Sequence, residues 1–173
     1  MPVLAALLAA CATAPPAAVA PASSLDRAVV IGRVLVMPQP SPADLDELAA
    51  TGYGAVIDLR SEREIEQRLE SFDEPHLVGT LGMDYRHAPI SGADGYGPQQ
   101  IEALIDALGD GDRRVVIHCA SGARAAQLHA AWRVQVDGLS PTEALREMAA
   151  FGLWPLPLEQ LTGIPLIVER APR

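Results

Sequence analysis

The stretch Val115–Arg124, V-V-I-H-C-A-S-G-A-R, decides both the fold and the chemistry predicted for this chain. Three consecutive β-branched residues, Val115 to Ile117, predict a short buried strand, and the residues from Ala125 onward predict a helix. Cys119 would therefore stand at a turn between a strand and a helix. The backbone N–H groups of such a turn, with the positive end of the helix dipole behind them, form a cradle for an anion.

Cys119 and Arg124 are the residues of this turn that can carry chemistry. The field of an anion cradle stabilises the thiolate of a cysteine, which is its nucleophilic form. The planar guanidinium of Arg124 can hold two oxygens of a tetrahedral anion. Gly122 lets the amides of the turn converge, because it has no Cβ. The sequence therefore predicts a nucleophile and an anion clamp in one pocket.

The composition of the 173 residues predicts one globular domain and excludes some classes of binding partner. Hydrophobic residues make up 49% of the chain, and the formal net charge is −9. This acidity argues against nucleic acid or an anionic lipid surface as a partner. A basic pocket around Arg124 would differ in charge from the acidic remainder of the chain. The two cysteines, Cys11 and Cys119, cannot provide a disulfide framework.

Residues 1–22 carry no charge and combine a short apolar run with an alanine- and proline-rich tract. The run is too short to span a bilayer, so it predicts an export segment. Leu8–Cys11 resembles the lipobox of bacterial lipoproteins, which implies lipidation of Cys11, and Ala18–Ala20 is an alternative cleavage site. We expect a periplasmic protein whose only membrane contact is this lipid anchor; a cytoplasmic chain with a disordered tail is the alternative. Residues 1–24 would form the signal and linker, and residues 25–173 the folded domain.

Strand and helix patterns alternate along the folded part. Besides the central strand, strands are predicted at residues 28–37, where Gly32 breaks the strand, at 53–60 and at 83–90. Helices are predicted at residues 42–50, 61–69, 98–108, 125–136 and 140–151. Residues 72–82 are expected to be irregular with at most one helical turn, and the end from Trp154 onward is expected to wrap around the outside. Asp58 and Arg60 are expected to form a structural ion pair. The alternation indicates an α/β domain in three layers, with a largely parallel sheet flanked by helices.

The loop H-C-A-S-G-A-R, residues 118–124, resembles the signature loop of the cysteine-dependent tyrosine and dual-specificity phosphatases. Residues 30–150 as a whole resemble a bacterial branch of that superfamily, the beta-lactamase hydrolase-like phosphatase domain. The supporting motifs fall in the family's order and are Gln39–Ser41, Val56–Arg60 with Glu64, and Tyr85–Ile90. The resemblance implies a fold like that of the dual-specificity phosphatases.

The resemblance also implies how the loop would act. The thiolate of Cys119 would attack a phosphoryl group, Arg124 would stabilise its oxygens, and water would hydrolyse the cysteinyl-phosphate. The residues implied to bind substrate or tune the thiolate are His118, Ala120, Ser121, Gly122 and Ala123. Asp94, in the glycine-rich loop after the third predicted strand, is the candidate general acid. The expected partner is a phosphoprotein or a small molecule that contains phosphate or sulfur, with no cofactor and no metal.

Three features depart from the phosphatase pattern. Four residues separate Cys119 from Arg124, whereas phosphatases usually have five, and four is the length that rhodanese-type sulfurtransferases use. Ala125 follows the arginine, where phosphatases commonly have Ser or Thr. Neither Ser91 nor Gly92, where the acid is first expected, can serve, which leaves Asp94 or, as a poorer candidate, Tyr96.

Three functions therefore stay open, in the following order of preference. The first is a phosphatase-like hydrolase that acts on a phosphomonoester. The second is a rhodanese-like sulfurtransferase that carries a persulfide on Cys119, which agrees with the family's links to sulfur metabolism through gene context and domain fusion. The third is an anion-binding module that keeps the cradle without catalysis.

Overall fold

The structure, a computed structural model, describes residues 23–67, 72–92, 95–152 and 156–163. The predicted export segment with Cys11 lies outside these residues, and so does the candidate acid Asp94. Within the described ranges, no helix combines the length and the apolar character needed to cross a membrane. The boundary predicted near residue 25 and the predicted export stay predictions.

A five-stranded sheet with the order β1-β2-β5-β3-β4 forms the centre of the fold. Its strands are β1 (Val29–Ile31), β2 (Val34–Pro38), β3 (Tyr53–Asp58), β4 (Asp84–His87) and β5 (Arg114–Cys119). The short strand β1 runs antiparallel to β2, and the other neighbouring pairs are parallel. The register places Pro38 beside Cys119 and Asp58 beside His118, so the carboxyl ends of β2, β5 and β3 meet at one edge. The prediction of a largely parallel α/β sheet is confirmed.

Seven α-helices in the described part of the chain accompany the sheet. They are α1 (Pro42–Ala50), α2 (Glu62–Gln67), α3 (Glu74–Thr80), α4 (Pro98–Leu108), α5 (Ala123–Gln135), α6 (Pro141–Glu147) and α7 (Leu156–Thr162), with 3₁₀ turns at Ser24–Arg27 and Ala149–Phe151. The larger core lies between the sheet and α4 to α7, and it includes Cys119. The smaller core lies on the opposite face, under α1 and α3. The sheet is thus covered on both faces, as the three-layer prediction requires.

Capping residues fix where the helices begin. The Ser41 side chain accepts the N–H of Asp44 while the Asp44 carboxylate accepts the N–H of Ser41, which is a capping box in front of Pro42. Ser140 and Glu143 form the same arrangement at the start of α6. Helices α1 and α4 have the predicted bounds, because each begins with a proline that the sequence displays.

Several segments differ from the prediction. Residues 28–37, predicted as one strand broken at Gly32, form the two antiparallel strands β1 and β2. The helix predicted to reach residue 151 ends at Glu147.

Part of the segment expected to be irregular forms α3, since Asp73 caps it and Val78 is buried against the sheet. The end of the chain, expected to wrap around the outside, contains α7, whose Leu158 and Leu161 belong to the larger core. Residues three apart face the same side of a helix, so one turn of α7 buries both leucines. In both segments a few buried side chains stabilise a helix that local propensity leaves undecided.

His129 on α5 is a buried histidine without a hydrogen bond. Its side chain is fully buried, and neither ring nitrogen has a hydrogen-bond partner among the described residues. The ring lies beside that of Trp132, with 5.8 Å between the ring centroids. Burial disfavours the imidazolium and lowers the pKa of His129 from 6.5 to about 4, although the negative charges of Glu147 and Asp137 oppose this.

We expect His129 to make the domain sensitive to mild acid. The unfolded chain binds a proton at this residue near pH 6.5 and the folded protein only near pH 4, so stability falls as the pH decreases between these values. At about 1.4 kcal/mol for each pH unit, the loss amounts to roughly 3 kcal/mol. Urea unfolding across this range should show the loss in the parent and in His76→Gln, which alters an exposed histidine, but not in His129→Gln. An equal loss in all three proteins would contradict the prediction.

Candidate active site

Cys119 ends the central strand, and a turn of three residues leads from it to α5. The sulfur-bearing side chain is almost fully buried, with 1% of the residue exposed. Gly122, the last residue of the turn, has a φ of 92°, in the left-handed region that favours glycine. Its N–H donates a hydrogen bond to Sγ of Cys119 at 3.2 Å. The nucleophile predicted from the sequence therefore stands at the N-terminus of a 13-residue helix with one amide already directed at it.

Arg124 is held by acceptors from two other parts of the chain. Its Nη1 donates to the carbonyl oxygens of Leu59 and Ile90, at 3.1 and 2.9 Å. Glu64 accepts from Nη1 at 2.7 Å and from Nη2 at 2.6 Å, so both carboxylate oxygens face the guanidinium. Burial opposes the charged form of Arg124, but the hydrogen bond with Glu64 and the charge of Cys119 outweigh it and raise the pKa of Arg124. The predicted anion clamp is thus charged, oriented and close to the sulfur.

Glu64 holds Arg124 through an ion pair that the sequence did not reveal. It was part of a supporting motif, and the spacing Ser61-x-x-Glu64 indicates a capping box, which the structure contains. Its contact with Arg124 joins residues 60 positions apart, so no local pattern could have shown it. The hydrogen bond from Arg124 lowers the pKa of Glu64 to about 2. Glu64 is therefore ionised at ordinary pH and has no proton to donate as a general acid.

The other residues of the loop, Ala120, Ser121 and Ala123, make no hydrogen bond to the sulfur of Cys119 within the described part of the chain. The carbonyl oxygen of Ala120 accepts the N–H of Gln39, and that of Ser121 accepts from Nη2 of Arg27, both at 3.5 Å. Ser121 is exposed, and Ala123 begins α5. Their substrate-binding roles stay predictions, because no contact of the structure tests them.

A second polar group, which we call the ion cluster, consists of Asp58, Arg60, Glu74, Tyr85 and His118. Arg60 donates to Asp58 and to Glu74, each at 2.6 Å from Nη2, and the hydroxyl of Tyr85 donates to Asp58 at 2.9 Å. The first three residues and His118 are at most 1% exposed. Burial opposes the ionised form of Asp58, yet the hydrogen bonds from Arg60 and the charge of His118 lower its pKa. The expected ion pair of Asp58 and Arg60 is present, within a larger network.

His118 directs its side chain into the ion cluster, whereas Cys119 belongs to the core on the other face of the sheet. Nε2 of His118 lies 2.8 Å from Oε1 of Glu74, at an angle outside that of a hydrogen bond. The side chain therefore touches the α3 side of the sheet. An influence on the thiolate would have to act through the end of β5, and this predicted role stays a prediction.

Asp58, Glu74 and His118 are the one set of possible metal ligands among the described residues, with ligand atoms within 4.8 Å of one another. Arg60 already places its guanidinium between the two carboxylates, and Oδ1 of Asp58 also accepts the backbone N–H of Arg60. The positive charge that a metal would supply is therefore present as an arginine. The expectation that the chain uses no metal stays a prediction.

The predicted general acid, Asp94, lies outside the described residues. Tyr96 is half-buried near the loop; its burial and the negative charge of Cys119 raise its pKa, against the effect of Arg124, so its hydroxyl stays protonated. Ala125, fully buried after the arginine, has no hydroxyl to offer. Tyr96 is therefore a proton-carrying side chain that the structure brings towards the sulfur.

Solved structures that share this fold include cysteine-dependent phosphatases, among them Tk-PTP and PTPMT1. Tk-PTP is 25% identical, with a TM-score of 0.63 over 79% of this chain and 94% of that chain. PTPMT1 is 21% identical, with a TM-score of 0.63 over 79% and 91%. TpbA of P. aeruginosa is 18% identical, with a TM-score of 0.57 over 81% and 83%. The fold, with Cys119 at the end of the central strand and Arg124 in the helix that follows, places the chain in the class of the cysteine-dependent phosphatases.

Within this class, the chain belongs to the family of the beta-lactamase hydrolase-like protein, phosphatase-like domain, whose sequence model matches residues 26–135. Curated relatives are the beta-lactamase hydrolase-like proteins of Agrobacterium fabrum, 30% identical over 97 residues, and of Xylella fastidiosa, 28% identical over 106 residues. These alignments cover 56% and 61% of this chain but only 22% and 24% of the relatives. The chain thus spans less than a quarter of their length. The resemblance inferred from the loop and strand motifs is confirmed.

Glu74 should contribute strongly to stability, because it neutralises buried positive charge. Glu74→Ala would remove the buried carboxylate that accepts from Nη2 of Arg60 at 2.6 Å, and breaking a buried ion pair in this way costs roughly 3 kcal/mol. Glu74→Gln keeps a hydrogen-bond acceptor and should lose about 1 kcal/mol. Glu62→Ala, at an exposed position of α2, is the matched control and should change the free energy of unfolding by less than about 0.5 kcal/mol. A loss in Glu74→Ala as small as that of the control, measured by urea unfolding, would contradict this role.

The ion pair of Glu64 and Arg124 should stabilise the fold except in acid. Since folding lowers the pKa of Glu64 from 4.5 to about 2, its contribution is complete above pH 4.5 and is lost as the pH falls towards 2. One third of the Glu64 side chain is exposed, so we expect about 1 kcal/mol. Unfolding experiments should give this difference between parent and Glu64→Gln at pH 7, and a smaller one below pH 4. Glu66→Gln, an exposed position on the same helix, should match the parent at both pH values.

Proposed function

We propose that this chain is a phosphatase-like hydrolase that cleaves a phosphomonoester with the thiolate of Cys119. The observation that supports this most directly is the N–H of Gly122, which donates to the sulfur at 3.2 Å at the N-terminus of α5, with the charged side chain of Arg124 held in the first turn of the same helix. A phosphoryl group that reaches the sulfur would meet the same donors with its oxygens, at the N-terminus of α5. The export segment predicted in residues 1–24 would place this activity in the periplasm.

The reaction would take place as two displacements. The sulfur forms an S–P bond while the P–O bond to the leaving group breaks, and the leaving oxygen receives a proton. Water then attacks the phosphorus, the S–P bond breaks, and phosphate leaves as the thiolate is restored. Arg124 would stabilise the charge on the phosphoryl oxygens in both steps, since its hydrogen bonds orient it before the substrate arrives.

The proton donor decides which esters would be good substrates. Glu64 is ionised and cannot serve, which leaves Asp94 as predicted from the sequence or the hydroxyl of Tyr96. Because the hydroxyl of Tyr96 is a weak acid, esters whose leaving oxygen needs little protonation should react fastest. We therefore propose aryl phosphates as the preferred substrate class, in keeping with the pTyr bound in the TpbA structure.

A second candidate is a sulfurtransferase, which the short loop favours. Four residues rather than five separate Cys119 from Arg124, and Ala125 lacks the hydroxyl that phosphatases commonly have after the arginine. In this reaction the thiolate would attack the outer sulfur of thiosulfate, an S–S bond would form on Cys119, and sulfite would leave. Cyanide would then take the outer sulfur as thiocyanate and restore the thiolate.

Assays of the purified protein with an aryl phosphate, and with thiosulfate plus cyanide, distinguish the candidates. We expect phosphate release that falls to background in Cys119→Ser, because the thiolate is the nucleophile. Arg124→Lys should lower the rate about 100-fold, the typical effect of losing an oriented transition-state donor. Arg86→Lys, the same change at a partly exposed position of β4, should leave it unaltered.

Other outcomes would replace the proposal. Thiocyanate formation without phosphate release would make the chain a sulfurtransferase. If neither substrate turned over while inorganic phosphate still bound to the parent and not to Arg124→Lys, the chain would be an anion-binding module.

A further inference from the structure

Phe151 contacts the loop of Cys119 from outside the residues that the family's sequence model matches. The family's sequence model matches residues 26–135, and Phe151 ends the 3₁₀ turn that follows α6. Its ring packs against the larger core and reaches Gly122. No motif of the sequence pointed to this residue.

Gly122 fits closely between the ring of Phe151 and the backbone of Met37. A Cβ placed on Gly122 would come within 2.3 Å of a ring carbon of Phe151 and 3.3 Å of the carbonyl carbon of Met37. Real Cβ atoms essentially never come as close as the first distance. The residue is thus confined by packing on two sides, in addition to the left-handed backbone that only glycine adopts readily.

The backbone groups of Gly122 are those that organise the turn. Its N–H donates to Sγ of Cys119, and its carbonyl oxygen accepts the N–H of Ala126 in the first turn of α5. A small rotation of this residue would direct the amide away from the sulfur, because neither neighbour in the turn replaces its hydrogen bond. A contact that fixes the backbone orientation of Gly122 therefore also fixes the hydrogen bond to the sulfur of Cys119.

The turn that carries Phe151 is itself firmly attached. Glu147, at the end of α6, forms a two-point ion pair with Arg133 of α5, with both N–O distances 3.0 Å. Met148, which follows, is fully buried. Phe151 is therefore fixed relative to α5, the helix that the loop begins.

We propose that Phe151 is a positioning residue, which confines Gly122 so that its amide stays directed at the sulfur of Cys119. The inference rests on the thiolate of the proposed function but not on phosphate chemistry. The shape of the anion cradle in this chain then depends on a segment that lies beyond the residues matched by the family's sequence model.

The test is the pH dependence of Cys119 alkylation, which needs no substrate. Iodoacetamide reacts with the thiolate, forming a thioether and releasing iodide, and mass spectrometry of the Cys119 peptide follows it separately from Cys11. In Phe151→Ala we expect the midpoint of the rate profile to rise by about one pH unit, since a hydrogen bond to a charged group changes an equilibrium about tenfold. Phe151→Leu, which keeps an apolar side chain in the core, should give a smaller rise in the same direction.

Leu145→Ala is the control, because Leu145 on α6 also packs against the larger core but is not among the nearest neighbours of Gly122. It should lower the Tm without moving the midpoint. An unchanged midpoint in Phe151→Ala, or in Phe151→Leu if the alanine variant does not fold, would show that the ring only fills the core and would overturn the inference. If the parent protein released no phosphate from an aryl phosphate but the alkylation midpoint still rose in Phe151→Ala, the proposed function would be wrong. The positioning role of Phe151 would still hold.

Discussion

The position of Arg124 is the constraint on which the site depends. Its guanidinium donates to the carbonyl oxygens of Leu59 and Ile90 and to both carboxylate oxygens of Glu64. These acceptors follow β3 and β4, so one residue of α5 joins the ends of separate elements. Leu59 also donates its N–H to the carbonyl oxygen of His118, which links the same segment to the strand that ends at Cys119. The clamp is therefore oriented by the fold and does not need a ligand to order it.

Alternation at the end of β3 lets one short segment serve both faces of the sheet. Asp58 and Arg60 direct their side chains to the ion cluster, while Leu59 between them is buried in the larger core. The ion cluster holds the carboxyl ends of the strands together by charge, and the larger core holds them by apolar contact. Although the chain has a net charge of −9, both Arg60 and Arg124 form ion pairs with carboxylates of the same chain. The anion cradle thus owes its positive character to local geometry, not to the charge of the whole protein.

Several features could be predicted because their causes are local. The strand, turn and helix around Cys119, the capping of α1 and α6, and the bounds of α4 follow from residues a few positions apart. The contacts of Glu64 with Arg124 and of Phe151 with Gly122 could not be predicted, since they join residues far apart in the chain. Helix α7 was missed for the same reason, because its leucines are stabilised by a core that exists only when the sheet and α5 have formed.

Local sequence patterns predicted most of the alternating strands and helices, the class of fold, and the loop that carries Cys119 and Arg124, because these depend on periodicity, capping and a contiguous motif. Three features became evident from the three-dimensional structure alone: Glu64 holds the arginine, His118 faces away from the sulfur, and Phe151 packs against Gly122. Hydrogen bonds and packing depend on distances in space. The register of the sheet and the docking of α5 to α7 set those distances, and neither can be read from neighbouring residues.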